Sequence, residues 1–356
     1  MVLVLGLAVA LWGLGAAMGT PRSLRWGMIG CLWVGVVFLH LILPSGNPLR
    51  LATGETAAPW LLLGGAAAIV LAYREGLRLL RARANPLPTA PASTPGQFTE
   101  AQLERYARHI VLREIGGPGQ KALREARVLV IGAGGLGSPV LLYLAAAGVG
   151  TIGVIDDDVV DNSNLQRQVI HRDADIGMPK VQSAQAAMQA QNPSVTVRPY
   201  QRRLTEEIAA TLFAEYDVIL DGTDNFATRY LANKIAVQAG KPLISGALSQ
   251  WEGQLSVFDP AHGTPCYQCI FPEAPAPELA PSCAEAGVLG PLPGVLGSMM
   301  AVEAIKLVTG AGTPLCGEML IYDALYGESR KFTLKPRADC PICHGKGASD
   351  DKPLAG

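Results

Sequence analysis

The sequence predicts an α/β protein with an apolar N-terminal region, and three observations support that class. Residues 128–156 read as strand, glycine turn, helix, strand and acid; residues 1–73 hold three long apolar runs; and two Cys-x-x-Cys pairs stand far apart toward the C-terminus. At 356 residues the chain exceeds one ordinary domain. A mean hydropathy of +0.25 with only 17% charged residues requires apolar residues to be concentrated somewhere. A formal net charge of -1 advertises no polyanion-binding surface, so no nucleic-acid partner is expected.

The apolar concentration is N-terminal. Among residues 1–73 the charged side chains are Arg22, Arg25, Arg50 and Glu55, and they separate the runs Val2–Met18, Trp26–Leu43 and Thr56–Tyr73. Each run is roughly 17–18 residues, near the lower limit for a helix crossing a ~30 Å hydrocarbon core. None shows the polar face of a soluble surface helix, and no Lys or Arg precedes the first run as a cleaved signal peptide would require. Three transmembrane helices are therefore expected within residues 1–84. Arg22 and Arg25 lie in the first loop and Arg74, Arg78, Arg81 and Arg83 follow the third run, while the second loop has only Arg50 beside Glu55. The positive-inside rule then puts the N-terminus outside and everything after Arg74 in the cytoplasm, as in a multi-pass protein of the inner (cytoplasmic) membrane. Residues 85–98, rich in Pro, Ala, Ser and Thr, read as an extended linker; residues 99–345 read as the globular domain and 346–356 as a disordered tail.

The globular part opens with Thr99 as a helix cap before an amphipathic helix, followed by a buried strand at Val128–Ile131. Gly132, Gly134 and Gly137 follow at G-x-G-x-x-G spacing, with Gly135 between them, and Ser138–Gly148 reads as a packed helix. A second strand, Gly150–Ile155, ends in Asp156, about twenty residues past the last glycine, which completes the Rossmann-like nucleotide fingerprint. The glycines let a phosphate approach a helix N-terminus, and Asp156 is placed to accept from ribose hydroxyls. Arg167 and Lys180 follow within thirty or so residues; hydride transfer has little use for two cations beside the phosphates, whereas attack on phosphorus builds charge they stabilise. A further strand, Val218–Leu220, ends in "DGTDN", where an acid at a strand's carboxyl end is placed to hold Mg²⁺; either Asp221 or Asp224 could instead cap the following helix.

Seven cysteines occur, at 31, 266, 269, 283, 316, 340 and 343. Cys266-x-x-Cys269 and Cys340-x-x-Cys343 are two knuckles, each able to give two thiolates to one tetrahedral Zn²⁺, which would staple the C-terminal end back onto the domain. Disulfides are disfavoured in a reducing cytoplasm, and a redox pair is the remaining alternative. Four protein ligands leave no open position, so the zinc is expected to be structural.

"RYARHIVLRE", "VLVIGAGGLGSP", "DNSNLQRQ", "IGMPK", "DGTDN", "CYQC", "CAEAGVLGPLPGVLGSMMAVEAIK" and "CPIC" occur in the order of the MoeB/ThiF/HesA family of ubiquitin-activating-like adenylyltransferases, which the chain resembles over about Arg105–Gly345. The resemblance implies a ThiF-type mixed sheet flanked by helices. It also implies Mg-ATP-dependent adenylation of the C-terminal glycine of a small ubiquitin-like sulfur carrier ending in Gly-Gly. By it, Asp156 corresponds to the ribose ligand, Arg167 and Lys180 to phosphate-binding cations, Asn164 to a polar neighbour of the phosphates and Asp224 to the magnesium-associated acid. Arg108 corresponds to an arginine supplied to the partner subunit's site, which implies a homodimer. Cys283 aligns with a loop cysteine that in ThiF-like members can bond covalently to the carrier; the alternative is a loop thiol with no part in adenylation. His109 and His171 are expected to be structural. "SGALSQWEGQLSVF" resembles MoeB more than ThiF, which points to the small subunit of molybdopterin synthase and molybdenum cofactor biosynthesis, with the thiamine-pathway carrier as the alternative. An NAD-dependent oxidoreductase would leave the cations and the zinc knuckles unexplained; a non-catalytic membrane adaptor would not need the set Arg108, Arg167, Lys180 and Asp224.

Overall fold

A computed structural model describes residues 2–84, 97–275 and 286–344. The chain divides into two compact units, Met1–Thr94 and Pro95–Gly356.

The first unit is helical: α1 (Val2–Ala17), α2 (Arg22–Ile42), α3 (Pro48–Thr53) and α4 (Ala58–Ala84). Within α2 and α4 the stretches Ser23–Ile42 and Ala58–Arg78 are long and apolar enough to cross a membrane. The first expected span corresponds to α1, a shorter apolar helix of 16 residues. Leu41, Leu62, Ile69 and Val9 stand exposed on these helices, an apolar surface of the kind lipid covers. Gly64 lets α4 approach α2 closely, since a Cβ there would lie 2.1 Å from the Trp33 ring. The loop between α2 and α4 contains α3, a short helix absent from the sequence expectation. Asn47 caps it by accepting from the Leu49 amide at 3.0 Å. Thr53 on α3 then ties the neighbours together, with its Oγ1 3.0 Å from His40 Nε2 of α2 and its carbonyl accepting from Trp60 Nε1 of α4 at 3.1 Å.

The second unit begins with α5 (Glu100–Ile110), where Thr99 is the helix cap the sequence predicts and Gln102 completes a reciprocal capping box. A turn through Gly116, at φ +59, separates it from α6 (Gly116–Glu125). There follow β1 (Arg127–Ile131), α7 (Gly137–Ala147), β2 (Thr151–Ile155), α8 (Lys180–Gln191), β3 (Thr196–Tyr200), α9 (Glu206–Ala214), β4 (Val218–Asp221) and α10 (Phe226–Ala239). The unit continues through β5 (Leu243–Leu248), β6 (Glu252–Phe258), α11 (Tyr267–Ile270), α12 (Pro291–Thr309), β7 (Glu318–Asp323) and β8 (Glu328–Thr333).

The strands form one sheet in the order β3-β2-β1-β4-β5-β6-β7-β8. From β3 to β5 the pairing is parallel and from β5 to β8 antiparallel, which is the mixed sheet the resemblance implied. The parallel half is buried on both faces, so β1 reads as the unbroken apolar run Val128–Ile131. On one face Val128 and Val130 pack with Leu141 and Leu144 of α7, Met188 of α8 and Leu296 and Met300 of α12. On the other, Leu129 and Ile131 pack with Phe213 of α9 and Ile235 of α10. Helix α12 is as long and apolar as a membrane span, yet Leu292, Leu296, Met300 and Ala304 are buried in this core, so its composition reflects sheet packing.

Candidate active site

The connection order reverses between β1 and β4, the two strands at the centre of the parallel half. Ligands in open α/β sheets bind at such a switch point, beyond the carboxyl ends of the strands. A cleft of about 1090 Å³ opens there, just above the ~300–1,000 Å³ common for small-ligand pockets.

Its floor is the glycine loop. Gly132 sits at φ +92, a conformation that disfavours any side chain. Gly137 opens α7 where a Cβ would lie 2.0 Å from the Gly132 carbonyl oxygen, so its task is to seat the helix on the loop, and it does not line the cleft. Gly132, Gly134 and Gly135 do line it. No side chain caps the N-terminus of α7, which therefore presents the positive end of the helix dipole near the loop.

Asp156 follows β2 and faces the same cleft. Its Oδ2 accepts from the Ala133 amide at 2.7 Å and its Oδ1 from the Asp158 amide at 2.8 Å, which fixes the carboxylate against the glycine loop. Lys180, the first residue of α8, is buried, and its Nζ lies 2.7 Å from Asp158 Oδ2 at the cleft wall. Arg167 also lines the cleft; Asn164 Oδ1 accepts from its Nη2 at 2.8 Å and the Ser163 carbonyl from its Nη1 at 3.2 Å. Asn164, expected beside the phosphates, is not itself part of the cleft wall but accepts from Arg167, which is.

The two aspartates of "DGTDN" separate. Asp221 is fully buried at the end of β4, with Oδ1 accepting from the Thr223 amide at 3.0 Å and its hydroxyl at 2.6 Å. Asp224 is exposed and lines the cleft. Neither caps α10, because Asn225 does so by accepting from the Thr228 amide at 2.9 Å. The loop carrying Asp224 is held from below by Arg229, a buried cation on α10. Its guanidinium donates to the Thr223 carbonyl, to the Gly246 carbonyl at 2.9 Å and to Ser245 Oγ at 3.2 Å, and its Nε lies 3.8 Å from Asp221 Oδ2.

One cleft thus brings together Gly132, Gly134, Gly135, Asp156, Arg167, Lys180 and Asp224. It does not include Arg108, which is exposed on α5. Cys283 lies outside the described residues. Sequence reasoning missed Asp158, Gln168, Arg203 and Arg229, all of which line the cleft. Gln168 is buried with its Oε1 unpartnered, and Arg203 Nε reaches Asp157 Oδ2 at 3.3 Å. Asp158 and Gln168 stood within one or two residues of the positions singled out, in "DDD" and "QRQ"; the burial of Arg229 left no mark on the chain.

A separate cluster joins the two knuckles. Cys266 and Cys269, at the start of α11, meet Cys340 and Cys343 from the C-terminal end, and all four are buried. Sγ separations are 3.8 Å for Cys266–Cys269, 3.6 Å for Cys266–Cys340 and 3.4 Å for Cys269–Cys343. Four sulfurs around one tetrahedral zinc at Zn–S of about 2.3 Å stand about 3.8 Å apart, so the cluster could hold such an ion. Burial pushes the Cys266 thiol up. At Cys340 burial also opposes ionisation, but hydrogen bonds from the Cys343 and Ile342 backbone and with the Cys266 and Cys343 thiols together bring the thiol down to about 7.

The fold and the cleft define an α/β domain with a ligand-sized crevice at its switch point, and comparison with known proteins assigns the class. A ThiF family profile matches residues 106–342, and the chain belongs to that family. The sulfur carrier protein adenylyltransferase of Thermus thermophilus is 50% identical over 251 residues, covering 69% of this chain and 93% of that protein. MoeZ of Mycobacterium tuberculosis, named a probable adenylyltransferase/sulfurtransferase, is 53% identical over 254 residues, covering 70% of this chain but 64% of its own length. The chain therefore spans just under two thirds of MoeZ. Among solved structures, E. coli MccB with MccA-N7isoASN aligns at a TM-score of 0.59 with 21% identity, covering 67% of this chain and 74% of that one, a likeness of fold. By class the chain is an adenylyltransferase.

Replacing Arg229 with Ala leaves Asp221 buried without its cation. The variant is expected to lose about 3–5 kcal/mol of stability, read as a fall in the denaturation midpoint.

Proposed function

We propose that this enzyme adenylates the C-terminal glycine of a small ubiquitin-like sulfur carrier, with Mg-ATP as donor and pyrophosphate as leaving group. The observation that carries this reading is the convergence of Gly132, Gly134, Gly135, Asp156, Arg167, Lys180 and Asp224 on one cleft. A carboxylate attacking the α-phosphate brings anion to anion, so the protein's contribution is positioning and neutralisation. The nucleophile is already ionised at pH 7 and needs no general base.

The residues divide that work. The glycine loop and the N-terminus of α7 receive the phosphates, Asp156 accepts from the ribose hydroxyls, and Arg167 and Lys180 neutralise charge building on the phosphorus. Asp224, whose carboxylate is exposed in the cleft, would hold Mg²⁺ in preference to the buried Asp221, and the ion would supply further neutralisation of phosphate charge. Lys180 is paired with Asp158 as the cleft stands, so phosphates would compete for a cation already positioned. Arg108, exposed and away from its own cleft, is assigned to the cleft of a second copy in a homodimer. Cys266, Cys269, Cys340 and Cys343 are assigned a structural Zn²⁺ that anchors the C-terminal end beside α11.

Within the carrier class we put the small subunit of molybdopterin synthase first. "SGALSQWEGQLSVF" forms the β5–β6 hairpin, and Ala247, Leu248, Ser249, Gln250 and Gln254 of that stretch line the cleft. Incubation with each purified carrier, ATP and labelled pyrophosphate tests the choice. Exchange is expected with the molybdopterin synthase subunit, and exchange supported only by the thiamine-pathway carrier would overturn it. In the same assay Asp224→Ala is expected to cut exchange by roughly two orders of magnitude or more while zinc content stays unchanged. Unaltered turnover would remove Asp224 from the mechanism.

The domain limits 1–84, 85–98 and 99–345 and the membrane location are proposed together. The apolar exposed faces of α2 and α4 support an anchor in the cytoplasmic membrane, with the catalytic unit on the cytoplasmic side. Cell fractionation is expected to place the full chain with membranes and a chain lacking residues 1–84 in the supernatant. Full-length protein found wholly in the supernatant would refute the anchor.

A further inference from the structure

His171 lies in the connection between β2 and α8 and is buried. Its Nε2 is 2.9 Å from the Ala133 carbonyl oxygen and its Nδ1 is 2.9 Å from Ser183 Oγ. A carbonyl oxygen carries no proton, so Nε2 must supply the hydrogen of the first bond. Burial disfavours the imidazolium and is the largest influence on the ring, holding its pKa below the ordinary histidine value. The charged groups that act on it are Lys180 at the start of α8, Asp156 at the end of β2 and Asp175 in the intervening turn.

On the opposite side of the ring Ser183 Oγ donates to Asp175 Oδ2 at 2.7 Å and lies 2.9 Å from His171 Nδ1, which holds the ring in place. The Nε2–H bond to Ala133 is made whether or not Nδ1 also carries a proton.

Ala133 is the residue between Gly132 and Gly134, and it is fully buried. Its carbonyl is held by His171, and its amide is held by Asp156 Oδ2 at 2.7 Å. We infer that His171 is a positioning residue for the nucleotide: its bond to the Ala133 carbonyl sets the glycine loop in register with Asp156, so that both meet ATP in one geometry. This rests on the ATP reading above. Without the donor, the Ala133 carbonyl would be buried and unsatisfied, and the loop would have to shift to satisfy it.

The test measures ATP binding by calorimetry and ATP-saturated pyrophosphate exchange with the full chain in detergent. His171→Asn removes the donor, His171→Gln restores an amide N–H near the Nε2 position, and Ser183→Ala removes the group that anchors the ring. His171→Asn is expected to bind ATP roughly tenfold or more weakly. Its exchange rate at saturating ATP should stay within about threefold of the unaltered chain, a split between binding and turnover that general destabilisation would not produce. His171→Gln is expected to recover most of the affinity, and Ser183→Ala to lose some of it. ATP affinity unchanged in His171→Asn, or His171→Gln as weak as His171→Asn, overturns the assignment. Should His171→Asn fail to fold, Ser183→Ala decides, and an affinity equal to that of the unaltered chain overturns it. An unaltered chain that binds no ATP overturns the adenylation reading itself, and this inference with it.

Discussion

The approach of α7 to the Gly132 carbonyl is the contact on which the rest of the catalytic unit depends. A Cβ at residue 137 would stand 2.0 Å from that oxygen, far inside van der Waals distance, so the helix can start where it does only with glycine there. Seating α7 at that point brings its buried face, Val140, Leu141 and Leu144, onto the sheet and leaves its N-terminus at the mouth of the cleft. Gly222 repeats the constraint from β4, where a Cβ would lie 3.3 Å from the Gly137 amide nitrogen. The two central strands therefore end against one helix terminus, and the cleft follows from how closely their backbones meet.

Around that floor, the charged groups are held by protein partners. Asp156 is tied to the Ala133 amide, Arg167 to Asn164, and Lys180 to Asp158. Each tie costs the side chain rotamer freedom before any ligand arrives, which lowers the entropy lost on binding. Arg229 and Asp221 follow a different logic. Both are buried, and removing a charge from water is costly, so the arrangement is favourable only because carbonyl and hydroxyl groups satisfy the remaining guanidinium protons. Their shared product is the shape of the Gly222–Asn225 turn, which turns Asp224 outward to the cleft while Asp221 turns inward.

The legible part of this protein was the part with a local cause. The glycine spacing, the acid after β2 and the Thr99 helix cap can be read directly because each is a short pattern along the chain. The cysteine knuckles were legible in pairs, since Cys-x-x-Cys is a local geometry, although their meeting across the fold is not. The N-terminal runs were legible as apolar helices, and the first of them, α1, stops at Ala17, before Gly19 and Pro21. Helix α12 shows the converse. By length and hydropathy it matches a membrane span, and only the sheet it packs against identifies it as a core element.

Chemical identity and short-range spacing were thus determined by the sequence itself: a nucleotide loop, an acid to follow it, two cations, two thiol pairs and a strongly apolar N-terminus. The tertiary structure decided which member of each set faces the cleft. It turned Asp224 outward and buried Asp221, assigned Asn164 to Arg167, left Arg108 on the surface, and placed His171 behind the glycine loop. The physical reason is that orientation and burial depend on contacts between segments tens of residues apart, such as His171 with Ala133 or Arg229 with Gly246, and no periodicity along the chain encodes those contacts.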